Sequence, residues 1–292
     1  MCIRGTREVV GERVARTGPT VSRRTLLGAG IGAGLAGLLP ACAAAGDDAP
    51  ADTETPQGVQ IGNKLDLTHV FAPDMPVFDD EKPLTREIIQ GEGRGDDEFD
   101  FYDQQWTLTE HVGTHIDPPG HVIGAGRMAP DLVPDELIVP AVVINIADKA
   151  DEDPNAMLTI DDIEAYEGDH GTIQSGSAVF MDSGWAQRWG DAAAFRGGEA
   201  FGAFSFPGFD PDACEFLIEE REIVGVGVDT MSTDPGESEA FPAHETLGRG
   251  DVWGLENLAN LEQMPPVGAT VFIGLIPLEE GSGGPCRVIA TW

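Results

Sequence analysis

The eleven residues from His111 to His121, HVGTHIDPPGH, hold three of the chain's six histidines and an aspartate, interrupted by Gly113 and by Pro118-Pro119-Gly120. That punctuation forbids a regular helix. In an extended chain the side chains of His115 and Asp117 point to one face, their Cα atoms about 6–7 Å apart. Such a pair suits a single ion. His111 would lie about 13 Å from His115 in a straight strand, too far to share an ion whose bonds to nitrogen are about 2 Å. A shared ion therefore requires the chain to curl, and Gly113 is where it curls most cheaply. The Pro-Pro-Gly turn can then bring His121 back. A histidine-rich surface loop, the alternative, needs none of this punctuation.

The rest of the chain frames that segment with strands. Residues 63–72 alternate as a strand does, and 101–117 starts as another. The β-branched run 138–147 predicts a buried strand, as does 269–278, and 177–185, 223–230 and 286–291 read as further strands. Residues 159–168 predict a short helix capped by Thr159, and 210–221 a clearer one, with Asp210 as cap and Pro211 in the first turn. Residues 252–261 are also expected as a helix. Strands outnumber helices, which implies a mixed α/β single domain with a substantial β core.

The N-terminus has a different character. Arg23 and Arg24 precede an apolar run from Thr25 to Ala41, short of the roughly 20 residues that span a bilayer. SRRTLL resembles a twin-arginine export signal, so residues 1–41 are expected to be a signal peptide; the other reading is a membrane anchor. LPAC resembles a lipoprotein cleavage box, with Cys42 the lipidated residue, and cleavage at a nearby small residue is the alternative. Residues 42–60 are acidic and lack large apolar side chains, as a flexible tether does. The folded domain is expected over 61–292, on the outer face of the membrane or outside the cytoplasm. There Cys214 and Cys286 could pair or remain buried thiols.

Residues 1–41 contain six arginines and two glutamates, and the rest of the chain keeps 49 acidic and 11 basic residues, a net charge of −38. Such a surface repels itself until salt shortens the Debye length to about 3 Å near 1 M. This implies a salt-adapted, halophilic protein. No basic patch remains for nucleic acid.

HVGTHIDPPGH matches every fixed position of H-x-G-T-H-x-D-x-P-x-H, and so resembles the signature of the cyclase family, which includes bacterial kynurenine formamidase and isatin hydrolase. GVDTMSTDP (227–235) and FPAHETLGRGDVWGLENL (241–258) resemble two further family segments, and the likeness extends over about 61–292. The resemblance implies a swivelling β/β/α-type domain, a homo-oligomer, and two divalent cations, Zn²⁺ or alternatively Mn²⁺. It assigns His111, His115 and Asp117 to one ion and His244 to the second. Asp117 would bridge the two and Glu256 would contact both. It makes His121 the general acid/base and puts Phe78 where formamidases tend to carry a substrate-contacting Trp. The implied reaction is hydrolysis of a small-molecule amide, as in arylformamidase, which converts N-formylkynurenine to kynurenine and formate. The alternatives are an isatin-like lactam hydrolase and a non-catalytic metal- or solute-binding lipoprotein. Among the other polar residues, Thr114 is expected to shape the loop, Asp229 and Asp234 to fix the loop beneath the site, His69 to sit in the core or the pocket wall, and His170 to lie in a loop.

Overall fold

The computed structural model describes residues 62–78, 84–91, 101–198 and 203–292, all within one compact unit, Gln57–Trp292. The leader, the tether, Cys42 and the acidic runs 79–81 and 96–98 lie outside the described residues.

Eight strands form one sheet: β1 (Lys64–Asp66), β2 (His115–Asp117), β3 (Ile138–Asn145), β4 (Ala178–Asp182), β5 (Gly225–Val228), β6 (Trp253–Glu256), β7 (Ala269–Leu275) and β8 (Gly284–Thr291). Their order is β1-β8-β7-β3-β4-β5-β6-β2, and β2 also pairs with β8, so the sheet closes on itself. Strands β3 to β6 run parallel. Each parallel step needs a crossover, and each crossover carries a helix: α1 (Ile160–His170), α2 (Pro211–Arg221) and α3 (Pro242–Arg249).

Period-two alternation explains why the central strands read as continuous apolar runs. Ala141, Val143, Ala178 and Phe180 point into the closed sheet, where they meet Ile116, Trp253, Leu255 and Val288. The intervening Val142, Ile144, Val179 and Met181 point outward onto Ile163, Leu217 and Leu247 of the helices. Burying each large apolar side chain contributes about 1.5–3 kcal/mol. The helix α2 begins as expected, with Pro211 at its first position and Asp210 accepting from the Asp212 N–H at 2.9 Å. At the start of α1 the Asp162 carboxylate accepts from both the amide and the hydroxyl of Thr159.

Four expectations are corrected. Residues 252–261 are not a helix: Trp253–Glu256 is strand β6, buried at all four positions between β5 and β2. The spacing of Val252, Leu255 and Leu258 suits a helix, but strand pairing on both sides overrides it. The helix lies just upstream, at α3. The strand begun near 101 does not continue to 117. Asp103–Thr107 instead pairs with Thr85–Gln90 in a separate hairpin, and the chain bends before β2. The strand expected over 63–72 is confined to Lys64–Asp66, and His170 is the last residue of α1 rather than a loop residue.

Cys214 and Cys286 are free thiols, buried in different apolar clusters. No helix among the described residues is long and apolar enough to cross a membrane.

Candidate metal centre

Register builds the floor of the site. In the antiparallel pair β2–β6, His115 lies directly opposite Glu256 and Asp117 opposite Gly254. Cross-strand partners share a face, so the two carboxylates and the imidazole converge without any special loop. Gly113, at φ +61°, curls the chain as the spacing requires and brings His111 within reach of the same face. Thr114 fixes this curl: its hydroxyl donates to the Asn257 carbonyl at 2.6 Å and accepts from the His69 N–H at 3.0 Å.

The helix α3 supplies the remaining imidazole. Asp234 accepts from the N–H groups of Ala243 and His244 in its first turn and lies 2.6 Å from His244 Nδ1. That bond turns His244 Nε2 toward the carboxylates. Asp229 works one loop away, accepting from the Ser183 hydroxyl at 2.5 Å and the Trp185 N–H at 2.7 Å.

The distances show two shared carboxylates: Asp117 faces three imidazoles and Glu256 two. Asp117 Oδ1 is 2.5 Å from His111 Nδ1 and 3.4 Å from His115 Nε2, while its Oδ2 faces His244 Nε2 at 3.9 Å. Glu256 Oε2 is 3.4 Å from His115 Nε2, and its Oε1 is 3.2 Å from His244 Nε2. Among the described residues two groups of candidate ligand atoms result, each within 4.8 Å mutually: His111, His115 and Asp117, and Asp117, His121 and His244.

The donor set fits divalent cations. His115 Nδ1 lies 2.8 Å from the Gly113 carbonyl, which selects the Nδ1–H tautomer and directs the Nε2 lone pair at the carboxylates. That Nε2 is buried and makes no hydrogen bond. A lone pair facing two carboxylates calls for a positive charge between them. Without a cation, that charge comes from protons. Burial opposes charging His115, but the negative charges of Asp117 and Glu256 outweigh it and raise its pKa to about 9. Burial likewise opposes charging His244, but Asp234, Glu256 and Asp117 raise it to about 10.

A pH dependence follows. Both folded values exceed the free imidazole value of about 6.5, so this stabilisation is complete below about pH 6.5 and lost as the pH rises to 9–10. Chelator-treated protein should therefore melt at lower temperature with each step from pH 6.5 to 10, at up to about 1.4 kcal/mol per unit for each imidazole. Cation binding needs the imidazoles neutral, so it should strengthen over the same range. A melting temperature that is flat or rises with pH would contradict this account.

Above the donors is a cavity of about 250 Å³, walled by Val77, Phe78, Leu84, Val122, Met231 and Phe241. His121 reaches the same space from a single turn at Pro119–His121, its ring centroid 3.8 Å from that of His111. Desolvation of the ring, reinforced by the neighbouring imidazoles and opposed by the charge of Asp117, lowers its pKa to about 4. The structure thus brings together all six polar residues singled out from sequence, and Phe78 with them. His69 stands apart from the cavity wall, stacked on Trp189 at 4.1 Å.

The sequence model of the cyclase family matches residues 65–235. Isatin hydrolase from Roseibium aggregatum is 36% identical over 240 residues, covering 77% of this chain and 90% of that protein. Kynurenine formamidase from Geobacillus thermodenitrificans is 28% identical over 183 residues, covering 63% and 77%. The solved structure of isatin hydrolase A from Ralstonia solanacearum matches with a TM-score of 0.73 and 34% identity, over 78% of this chain and 91% of that one. A closed mixed sheet with this donor set at its mouth defines a metal-dependent hydrolase. Within that class, the chain belongs to the cyclase family.

Proposed function

We propose that the protein hydrolyses the amide bond of a small aromatic lactam of the isatin type. The observation that carries this reading is a cluster of three histidines and two carboxylates at the floor of an aromatic-walled cavity, with a further histidine left over. The greater identity to isatin hydrolase than to kynurenine formamidase favours the lactam. The export-type leader favours it too, because an exported enzyme is separated from tryptophan breakdown in the cytoplasm. An aryl formamide such as N-formylkynurenine is the second reading, supported by the formamidase relatives.

In this proposal His111, His115 and Asp117 would hold one divalent cation. Asp117, His244 and Glu256 would hold a second, and the nitrogen–oxygen donor set suits Zn²⁺ or Mn²⁺. Such cations acidify water and stabilise negative charge developing on a carbonyl oxygen. His121 takes the proton from the attacking water and returns it to the departing nitrogen. One carbon–oxygen bond forms and the carbon–nitrogen bond breaks. A lactam opens to an amino acid in a single molecule, whereas a formamide releases formate. Phe78 and Phe241 hold the flat ring against the cavity wall.

Turnover of isatin and of N-formylkynurenine, each with and without chelator, tests the proposal. Cation-dependent opening of isatin as the faster reaction is expected. Faster cleavage of the formamide would select the second reading. Failure to cleave any amide, lactam or ester of a panel would overturn both.

A further inference from the structure

Two polar residues behind the site have no part in the account above. Ser282 lies in the loop between β7 and β8, and Glu110 directly precedes His111. Glu110 Oε2 accepts from both the backbone N–H of Ser282, at 3.0 Å, and its hydroxyl, at 2.6 Å. The same Ser282 Oγ lies 3.0 Å from His111 Nε2, and the opposite nitrogen of that ring, Nδ1, faces Asp117 Oδ1 at 2.5 Å.

Hydrogen bookkeeping makes this chain directional. A carboxylate only accepts, and a serine hydroxyl has one hydrogen to give. Ser282 gives that hydrogen to Glu110, so its oxygen can only accept from His111, which must carry its hydrogen on Nε2. His111 Nδ1 is then left with a lone pair, aimed at the Asp117 oxygen and at the place where a cation would sit. Two acceptors at 2.5 Å repel each other unless a positive charge lies between them. The loop is shaped for this approach: a Cβ at Gly283 would collide with the His111 ring, so glycine lets the loop close on the imidazole.

We infer that Glu110 and Ser282 are positioning residues that hold His111 in the tautomer able to bind a cation through Nδ1. The inference rests on the proposed role of His111 as a ligand. Orienting partners of this kind, when removed, typically cost roughly 10–100-fold in metal affinity.

The test uses the full-length protein as wild type, Ser282→Ala and Glu110→Ala. Affinities for Zn²⁺ and Mn²⁺ are measured by competition with a chelator, and the His111 tautomer by nitrogen NMR of the cation-free protein. Glu110→Ala removes the acceptor of both Ser282 bonds, leaving the serine hydrogen free to point at His111 and favour the opposite tautomer. Both variants should bind roughly 10–100-fold more weakly, and both should lose the predominance of Nε2–H that the wild type shows. A loss of packing alone would not move the tautomer. If both variants match the wild type in affinity and tautomer, the positioning role is overturned while the proposed hydrolase stands. If the wild type binds neither cation, the metal reading and the positioning role fall together.

Discussion

Replacing Asp117 with alanine is expected to abolish cation binding and turnover together. Asp117 is the one side chain common to both groups of candidate ligand atoms found among the described residues. Its Oδ1 faces His111 and His115 and its Oδ2 faces His244, so no other carboxylate substitutes for it on the His111 side. Burial opposes its charge, yet the positive charge of His115 and the close approach of His111 hold its carboxyl well below the usual carboxylate range. It is therefore a fixed negative charge at any working pH. Cation chemistry of this kind is worth several kcal/mol in the transition state, and each 1.36 kcal/mol is tenfold, so turnover should fall on the order of 10³-fold or more. A stability readout separates this from misfolding. Cation at 100 times its dissociation constant should stabilise the wild type by about 2.7 kcal/mol and leave the melting temperature of Asp117→Ala unmoved. A variant that kept its cation and its turnover would remove Asp117 from the site.

The same residue shows what a sequence makes readable. Asp117, His115, His111 and His121 lie within eleven residues, so alternation and glycine placement suffice to bring them to one face. Strands β3, β4, β7 and β8 and helix α2 are equally local: apolar runs buried along one or both faces, or a cap followed by proline. Closure of the sheet is not local, because it depends on β2 pairing with both β6 and β8. Strand β6 was hidden for the same reason. Its four residues owe their conformation to neighbours on either side rather than to their own period, and with them went the register that sets Glu256 opposite His115. His244 and Glu256 were reachable only through family resemblance. Ser282 left one faint trace. It is a serine among glycines, 171 residues from the histidine it touches, and only the glycines around it hinted that something comes close. Asp234 was read as fixing the loop, and it does, but the same carboxylate also sets the direction of His244.

Replacing His121 with alanine should lower kcat by about 10²–10⁴-fold while cation affinity stays at the wild-type value. The argument turns on what remains after the ligands are counted. Asp117 faces three imidazoles and Glu256 two, and His115 and His244 each answer both carboxylates through Nε2. His121 instead stands at the cavity wall, beside His111 at 3.8 Å and 6.0 Å from His244 between ring centroids. Its outer side is exposed, yet desolvation of the ring and the neighbouring imidazoles, against the pull of Asp117, lower its pKa to about 4, which favours the neutral state in which an imidazole accepts a proton. A neutral base beside acidified water is of no use to a protein that only binds cations or solutes, so this variant also separates an enzyme from a binder. The competing assignment has a definite signature. His121 forms a ligand-like group with Asp117 and His244, and were it a ligand, His121→Ala would lose cation affinity in step with turnover. Equal turnover in variant and wild type would leave the reaction without its proton carrier and overturn the proposed mechanism.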